Sequence, residues 1–407
     1  MDSVSVAKNY VSGRERFAGF GVDTEKALEV LGHVRLSLHC RRETAGDSVD
    51  SWDAGSLREL REDLHEAFAL IPGRHRFGLR AVHAESPAAG LVERNALEPA
   101  HFRGWIEWAK REDLKLDFSA ACYGHPQAAS GFTLSHLEKD VRRFWIEHVR
   151  RCRKISASIG REQKTSCIHT LMVPDGSAGR PPFDRWTRRE LLRESLDEIF
   201  DIEHSPTQMK DALESRPAGN GNESSAVASH EFCVGYAMSR GKLLSLDLGS
   251  GLSAESAADQ VSAILQFSDE FLVRVPRDVP SEDERADRRD NGTLSLARES
   301  VRSRAPDRIH LGLEDPGAGP GRVRRWAAGA RAMLNTLLVA LLEQEGGLDG
   351  TEVKADDAGR RALEEDFRSL PFGAVWDQYC LTSGVPPTSK WRQDLSEREK
   401  RPRPKRP

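Results

Sequence analysis

Short apolar runs alternate with longer helical patterns along most of this 407-residue chain. Seven of the runs have the length and composition of buried strands, at 35–40, 77–84, 115–122, 166–173, 243–249, 270–275 and 308–314. Between the first two, the segment 56–70 places Leu57, Leu60 and Leu64 on one face at helical spacing. Strands that alternate with helices form βα units. The pattern therefore predicts an α/β fold with a parallel sheet.

Composition and charge argue against several classes of protein. Charged residues make up 30% of the chain and the net charge is −4, so no strong field favours nucleic acid or a membrane surface. The sequence has no apolar run long enough to span a bilayer and no signal-peptide pattern at its N-terminus. None of the cysteines forms a CxxC pair, so we expect reduced thiols in a cytoplasmic protein. They are Cys40, Cys122, Cys152, Cys167, Cys233 and Cys380.

Several sequence blocks have a specific pattern and occur in order along the chain. They are RLSLHC (35–40), GFTLSH (131–136), FWIEH (144–148), PDG (174–176), LDEIF (196–200), SHEF (229–232) and SLPFGAVWDQYC (369–380). Together they make the chain resemble the bacterial L-rhamnose isomerases over almost its whole length. The resemblance also places an eighth strand at 209–215, although MKDALES is a poor strand sequence on its own.

The resemblance implies a (β/α)8 TIM barrel with extra helical segments at both ends. We expect the barrel and an N-terminal helical extension in 1–345. A C-terminal helical extension is expected in 346–396, packed on the barrel or on a neighbouring subunit. Residues 397–407 are basic and rich in proline, which predicts a disordered, solvated tail. The alternative interpretation of the tail is an arm that binds nucleic acid.

The resemblance further implies a metal-dependent reaction at the C-terminal face of the barrel. Enzymes of this family move a hydrogen between C1 and C2 of an open-chain sugar, and Mn²⁺ or Mg²⁺ is the cofactor expected from it. The positions that match the family's metal ligands are Glu214, Asp247, Glu282 and Glu284. The matching catalytic positions are His125, after the third strand, and Arg216, where the family has a substrate-contacting lysine. The partners implied are a small sugar and the other subunits of a homotetramer.

Two metal-binding histidines of the family fall on Ser250 and Arg274 in this chain. Ser250 offers only a neutral hydroxyl on a short side chain, and Arg274 cannot give up its proton to become a ligand. A fixed cation about 4 Å from a divalent ion is repelled by roughly 8 kcal/mol at an effective dielectric constant of about 20. Neither residue is therefore a competent ligand.

Two hypotheses follow for the mouth of the barrel. In the first, Arg274 pairs with Glu214 or Asp247, the metal site is degraded, no metal is bound, and isomerisation is lost or strongly impaired. In the second, Glu214, Asp247, Glu282 and Glu284 form a reshaped all-oxygen site that suits Mg²⁺ or Mn²⁺, and the protein is an active aldose isomerase. His39, His83 and His230 are expected to be packed or hydrogen-bonded rather than catalytic.

Overall fold

The structure is a computed structural model. It describes residues 3–40, 54–85, 92–176, 184–215, 226–247, 254–275, 291–303, 308–315, 321–346 and 365–399. Parallel strands close into one barrel in chain order, and the last strand pairs with the first. The strands are β1 Leu36–Cys40, β2 Arg76–Arg80, β3 Lys115–Ser119, β4 Cys167–Met172, β5 Met209–Ser215, β6 Leu243–Asp247, β7 Phe271–Val275 and β8 Ile309–Asp315. The predicted (β/α)8 barrel is confirmed, including the strand at 209–215.

Helices surround the barrel and extend it at both ends. They are α1 Ser3–Ala18, α2 Thr24–His33, α3 Ala54–Phe68, α4 Arg103–Arg111, α5 Lys139–Gln163, α6 Arg185–Phe200, α7 His230–Ser239, α8 Ala254–Ile264, α9 Asn291–Arg302, α10 Arg322–Glu345, α11 Phe372–Thr382 and α12 Thr388–Glu399. Short 3₁₀ turns lie at Ala81–His83, Arg94–Ala96, Pro99–Phe102 and Pro126–Ala128. Within the described ranges, no helix is both long and apolar enough to cross a membrane.

Two strands end earlier than the apolar pattern predicts. β2 stops at Arg80, because the backbone N–H of Arg80 is bonded to the ring of His83 and the chain turns into a 3₁₀ helix. β3 stops at Ser119, where the N–H of Ala121 is bonded to His148 of α5 instead of a neighbouring strand. The apolar residues that follow each strand continue the core but leave the sheet.

The C-terminal helices pack on the helices of the same chain. Phe372 of α11 lies edge-on to Phe17 of α1, with ring centroids 5.2 Å apart. Arg331 of α10 lies beneath the rings of Trp376 and Trp391. The last helix continues to Glu399, three residues into the predicted tail. Glu397–Glu399 favour helix, whereas the prolines after them cannot continue one; residues 400–407 lie outside the described ranges.

The inside of the barrel is more polar and less filled than the layered aliphatic interior usual for this fold. His39 of β1 lies between two glycines, Gly78 of β2 and Gly312 of β8. A Cβ atom on Gly78 would lie 2.1 Å from Nδ1 of His39, and one on Gly312 would lie 3.3 Å from its Nε2. The glycines therefore make room for an imidazole inside the barrel.

Candidate functional site

The C-terminal ends of the strands bring a set of charged side chains together. Glu214 is the second-last residue of β5, Asp247 ends β6, Arg274 lies in β7, and Glu314 lies in β8. Asp247 is directly opposite Arg274 in the register of β6 and β7. Glu214, Asp247 and Arg274 are all buried. The two ligand positions of the sequence analysis that the structure describes, Glu214 and Asp247, thus lie around Arg274, a position that the resemblance matches to a histidine.

Arg274 forms ion pairs with two carboxylates. Its Nε lies 3.2 Å from Oε2 of Glu214, and its Nη1 donates a hydrogen bond to Oε1 of Glu314. The side chains of Arg274 and Glu214 are only 7% and 3% exposed. Burial would lower the pKa of Arg274, but the charges of Glu214, Glu314 and Asp247 outweigh it and raise that pKa above its ordinary value. The site therefore contains a permanent cation.

The pairing with Glu214 is one of the two that the sequence predicts, and Glu314 is a partner that it did not predict. Glu314 is the second-last residue of β8, which pairs with β7, but a sequence does not show which way an arginine turns. Asp247 contributes through its charge and lies across the register from Arg274.

Arg274 lines a small pocket at the mouth of the barrel. Within the described residues this pocket has a volume of about 30 Å³, room for about two water molecules. Residues that the sequence analysis did not single out complete its lining, among them Arg80, Ser119, Tyr123 and Thr170. The guanidinium of Arg80 lies over the ring of Tyr123, 5.1 Å from its centroid. None of these belongs to a recognisable motif, so only the fold brings them together.

His39 also lines the mouth pocket. Burial, followed by the charge of Arg274, lowers the pKa of His39 to about 3. The ring is therefore neutral at physiological pH. The prediction that His39 is a packed histidine is consistent with its place between Gly78 and Gly312.

His125 lies in the loop after β3 and is held by aromatic and acidic neighbours. Its Nε2 is 3.2 Å from Oε2 of Glu93, and its ring stacks on Phe144 with centroids 4.9 Å apart. The N–H of Gln127 donates to its Nδ1 over 3.1 Å. His125 does not line the mouth pocket. The structure therefore does not join it to the group around Arg274.

Asp175, in the loop after β4, holds the loop after β3 in place by hydrogen bonds. Each of its carboxylate oxygens accepts two hydrogen bonds, from the backbone N–H and the hydroxyl of Thr133 and of Ser135. Burial raises the pKa of Asp175 above its ordinary value despite these bonds. The PDG block of the sequence thus joins the loops after β3 and β4, a positioning role that the sequence analysis missed.

The fit of a divalent ion can be judged from the described residues. Among them, no three His, Cys, Asp or Glu side chains come close enough together to hold a metal. Glu214, the ligand position at the end of β5, is in contact with a guanidinium instead. The described part of the mouth therefore does not fit a divalent ion. Arg216, Ser250, Glu282 and Glu284 lie outside the described residues.

Comparison with known proteins adds the evolutionary context. The model of the L-rhamnose isomerase (RhaA) family matches residues 4–406. The L-rhamnose isomerase of Rhodopirellula baltica is 38% identical over 414 residues, covering 97% of this chain and 96% of that protein. The L-rhamnose isomerase of Pectobacterium carotovorum subsp. carotovorum is 40% identical over 405 residues, covering 95% of each protein.

A solved structure of a D-tagatose 3-epimerase-like protein is also similar in shape. It has a TM-score of 0.47 and 14% sequence identity, and the match covers 76% of this chain and 99% of that one. This likeness is too distant to bear on function.

Proposed function

The chain belongs to the L-rhamnose isomerase family, and from that premise we propose that it is a member in which a guanidinium has replaced a divalent ion. In this proposal aldose–ketose isomerisation is lost or strongly impaired. The observation that supports it is the buried ion pair between Arg274 and Glu214, at positions that match metal ligands of the family. The second pair, with Glu314, strengthens the same argument.

Displacing Arg274 from the carboxylates would cost free energy. An ion bound by Glu214 would have to remove the guanidinium from two carboxylates and leave that cation buried without its partners. Removing one partner of a buried ion pair costs about 3–5 kcal/mol. An ion that stayed beside Arg274 would be repelled by it, since a guanidinium remains charged. Both routes oppose metal binding at this position.

The alternative is an active isomerase with an all-carboxylate site. Glu214 and Asp247 lie at the C-terminal ends of the neighbouring strands β5 and β6, and oxygen ligands of this kind suit Mg²⁺ or Mn²⁺. Glu282 and Glu284 would complete such a site. In this alternative Arg274 turns away from the carboxylates when the ion binds.

A measurement of isomerase activity after metal exchange distinguishes the proposed impaired protein from an active isomerase. The protein would be dialysed against a chelator, reloaded with Mn²⁺, Co²⁺ or Mg²⁺, and assayed for ketose formation from L-rhamnose, with the Rhodopirellula baltica relative as a positive control. We expect no turnover by this chain under conditions in which the relative is active. Metal-dependent ketose formation by the unmodified chain would overturn the proposal.

Restoring the two histidines tests whether their replacement is the cause of the lost isomerisation. If the missing imidazoles are the main defect, the double variant S250H/R274H should gain metal-dependent turnover that neither single variant shows. Equal inactivity of the double variant, if it folds and binds Mn²⁺ in calorimetry, would shift the cause to other changes in the mouth.

The remaining roles are part of the same proposal. We propose that a small sugar is contacted by Arg216 and, from the loop after β3 outside the mouth pocket, by His125. The described cysteines are all buried and form no disulfide, which supports a reducing, cytoplasmic location. A homotetramer is proposed from the family resemblance, and size-exclusion chromatography with light scattering would test it.

A further inference from the structure

A second and larger cavity lies along the barrel axis on the other side of Arg274. Its volume is about 220 Å³. It is lined at the N-terminal end by Arg35, Arg76 and Ile309, which lie where strands begin, and it reaches Thr170 and Arg274. The mouth pocket is also lined by Thr170 and Arg274. The side chains of His39, Thr170 and Arg274 therefore lie between two spaces inside the barrel.

Small residues explain why the barrel is not filled here. Gly312, which lines the cavity, has no side chain, and Thr170 is compact. Apolar residues on the inner face, Ile168 and Leu272, form only a small cluster of their own, apart from the main core between strands and helices. The cavity walls combine these apolar groups with hydroxyls and cations, so the space is suited to a polar occupant.

The lining carries more positive than negative charge. Its cations are Arg35, Arg76 and Arg274, and Asp117 is the carboxylate among the residues that line it. Asp117 is already fully engaged, because Nε and Nη2 of Arg76 bind it at 2.9 and 2.7 Å while Ser37 and the N–H of Ile168 donate to it as well. Glu214 and Glu314, the partners of Arg274, line the other space.

Two of these arginines retain hydrogen-bonding capacity. Nη2 of Arg274 is buried and makes no hydrogen bond to any residue in the described ranges. Arg35, at the opening, donates from Nη1 to the carbonyl of Arg74 over 3.2 Å. Burial, and then the charges of Arg74 and Arg76, lower the pKa of Arg35, so three guanidinium groups crowd one end of the barrel. A bound anion would relieve that repulsion.

We propose that this axial cavity binds a small oxyanion, such as inorganic phosphate, between Arg35 at the opening and Arg274 at the inner end. A guanidinium matches the oxygens of phosphate or a carboxylate with paired N–H donors. The volume accepts an ion of this size with accompanying water. The site opens at the face opposite the mouth and shares Arg274 with it, but phosphate binding through Arg35 is measured separately from isomerisation.

Calorimetric titration of the full-length protein with inorganic phosphate tests the site at low ionic strength. We expect binding that is weakened about tenfold in R35Q, corresponding to about 1.4 kcal/mol. The matched control is R74Q, which removes a neighbouring exposed cation that does not line the cavity and should weaken binding less than threefold. No phosphate binding, or equal losses in the two variants, would overturn the proposal.

A crystal soaked with selenate, which resembles phosphate in shape, would locate the ion. We expect an anomalous selenium peak within the axial cavity, with an oxyanion oxygen in hydrogen-bonding distance of Nη2 of Arg274. A soak with acetate would show whether carboxylates share the site. Selenate bound only at the mouth or on the outer surface would contradict the assignment.

Discussion

The barrel mouth and the seam between α10 and the C-terminal helices each bury an arginine, but they compensate its charge in different ways. At the mouth, Arg274 pairs with two carboxylates. In the seam, Arg331 is completely buried and donates to the carbonyl of Leu70 and to Sγ of Cys380, at 2.8 and 3.4 Å. Its charge otherwise faces the rings of Trp376 and Trp391, 5.4 and 5.2 Å away. Among the described residues, no carboxylate pairs with Arg331.

The difference shows what each arginine contributes. The partners of Arg331 are neutral, and two of them belong to the SLPFGAVWDQYC block, so this arginine is part of the packing between α10 and the C-terminal helices. The partners of Arg274 are anions, and one of them, Glu214, is at a position that the resemblance matches to a metal ligand. Removing Arg274 therefore leaves uncompensated charge, whereas removing Arg331 leaves mainly unsatisfied neutral groups.

The largest effect is expected for R274M. Glu214 and Glu314 would remain buried without their cation, and the free energy of unfolding at pH 7 should fall by about 3–5 kcal/mol. Urea denaturation measures it, with R302M, an exposed arginine, as a control that should change by less than about 0.5 kcal/mol. Added Mn²⁺ should recover part of the loss in R274M and have no effect on the native chain. If R274M loses less than about 1 kcal/mol of unfolding free energy, the carboxylates at the mouth do not depend on Arg274, and the mouth and the seam do not differ in how they compensate a buried arginine.

A third buried arginine, Arg153 of α5, pairs with a carboxylate whose contribution to stability depends on pH. It binds Asp211 of β5 with Nη2 3.0 Å from Oδ2, and His169 lies 3.2 Å from the same carboxylate. Burial would raise the pKa of Asp211, but His169 and then Arg153 lower it from 3.8 to about 2. The pKa of Asp211 is therefore lower in the folded protein than in the unfolded chain. The stabilisation by the charged Asp211 is complete above about pH 4 and is lost as the pH falls from about 4 through about 2, by about 2 kcal/mol in all.

Urea denaturation between pH 2 and 5 would measure this loss. D211N should be less stable than the native chain at pH 5 and should lose less stability on acidification. Parallel curves for the two proteins would contradict the role of this ion pair. In R331M the acid dependence should match the native chain, because the partners of Arg331 carry no carboxylate.

The smallest effect is expected for R331M itself. Methionine retains much of the volume between Trp376 and Trp391 and removes a buried charge, while the carbonyl of Leu70 loses its donor. These contributions oppose one another, and we expect a net change within about 1 kcal/mol in urea denaturation. A loss as large as that of R274M would show that neutral partners hold a buried arginine as strongly as carboxylates do.

Much of the fold could be predicted because strand runs and helical faces repeat along the sequence. The strand ends at Arg80 and Ser119 could not, since apolar residues continue past both points and only tertiary contacts end the ladder. At the site, the resemblance gave Glu214 and Asp247 as possible partners of Arg274 and left open which of them pairs with it. The choice of Glu314 as second partner, the clamp at Asp175 and the axial cavity depend on side-chain directions and on layers formed across the barrel, which a sequence does not contain.

The most direct test of the account is diffraction at the manganese absorption edge from crystals soaked in Mn²⁺. We expect no anomalous peak within coordination distance of the Glu214 carboxylate. We expect the electron density to place the guanidinium of Arg274 beside that carboxylate. An ordered manganese bound by Glu214 and Asp247, with the guanidinium of Arg274 turned away, would contradict it.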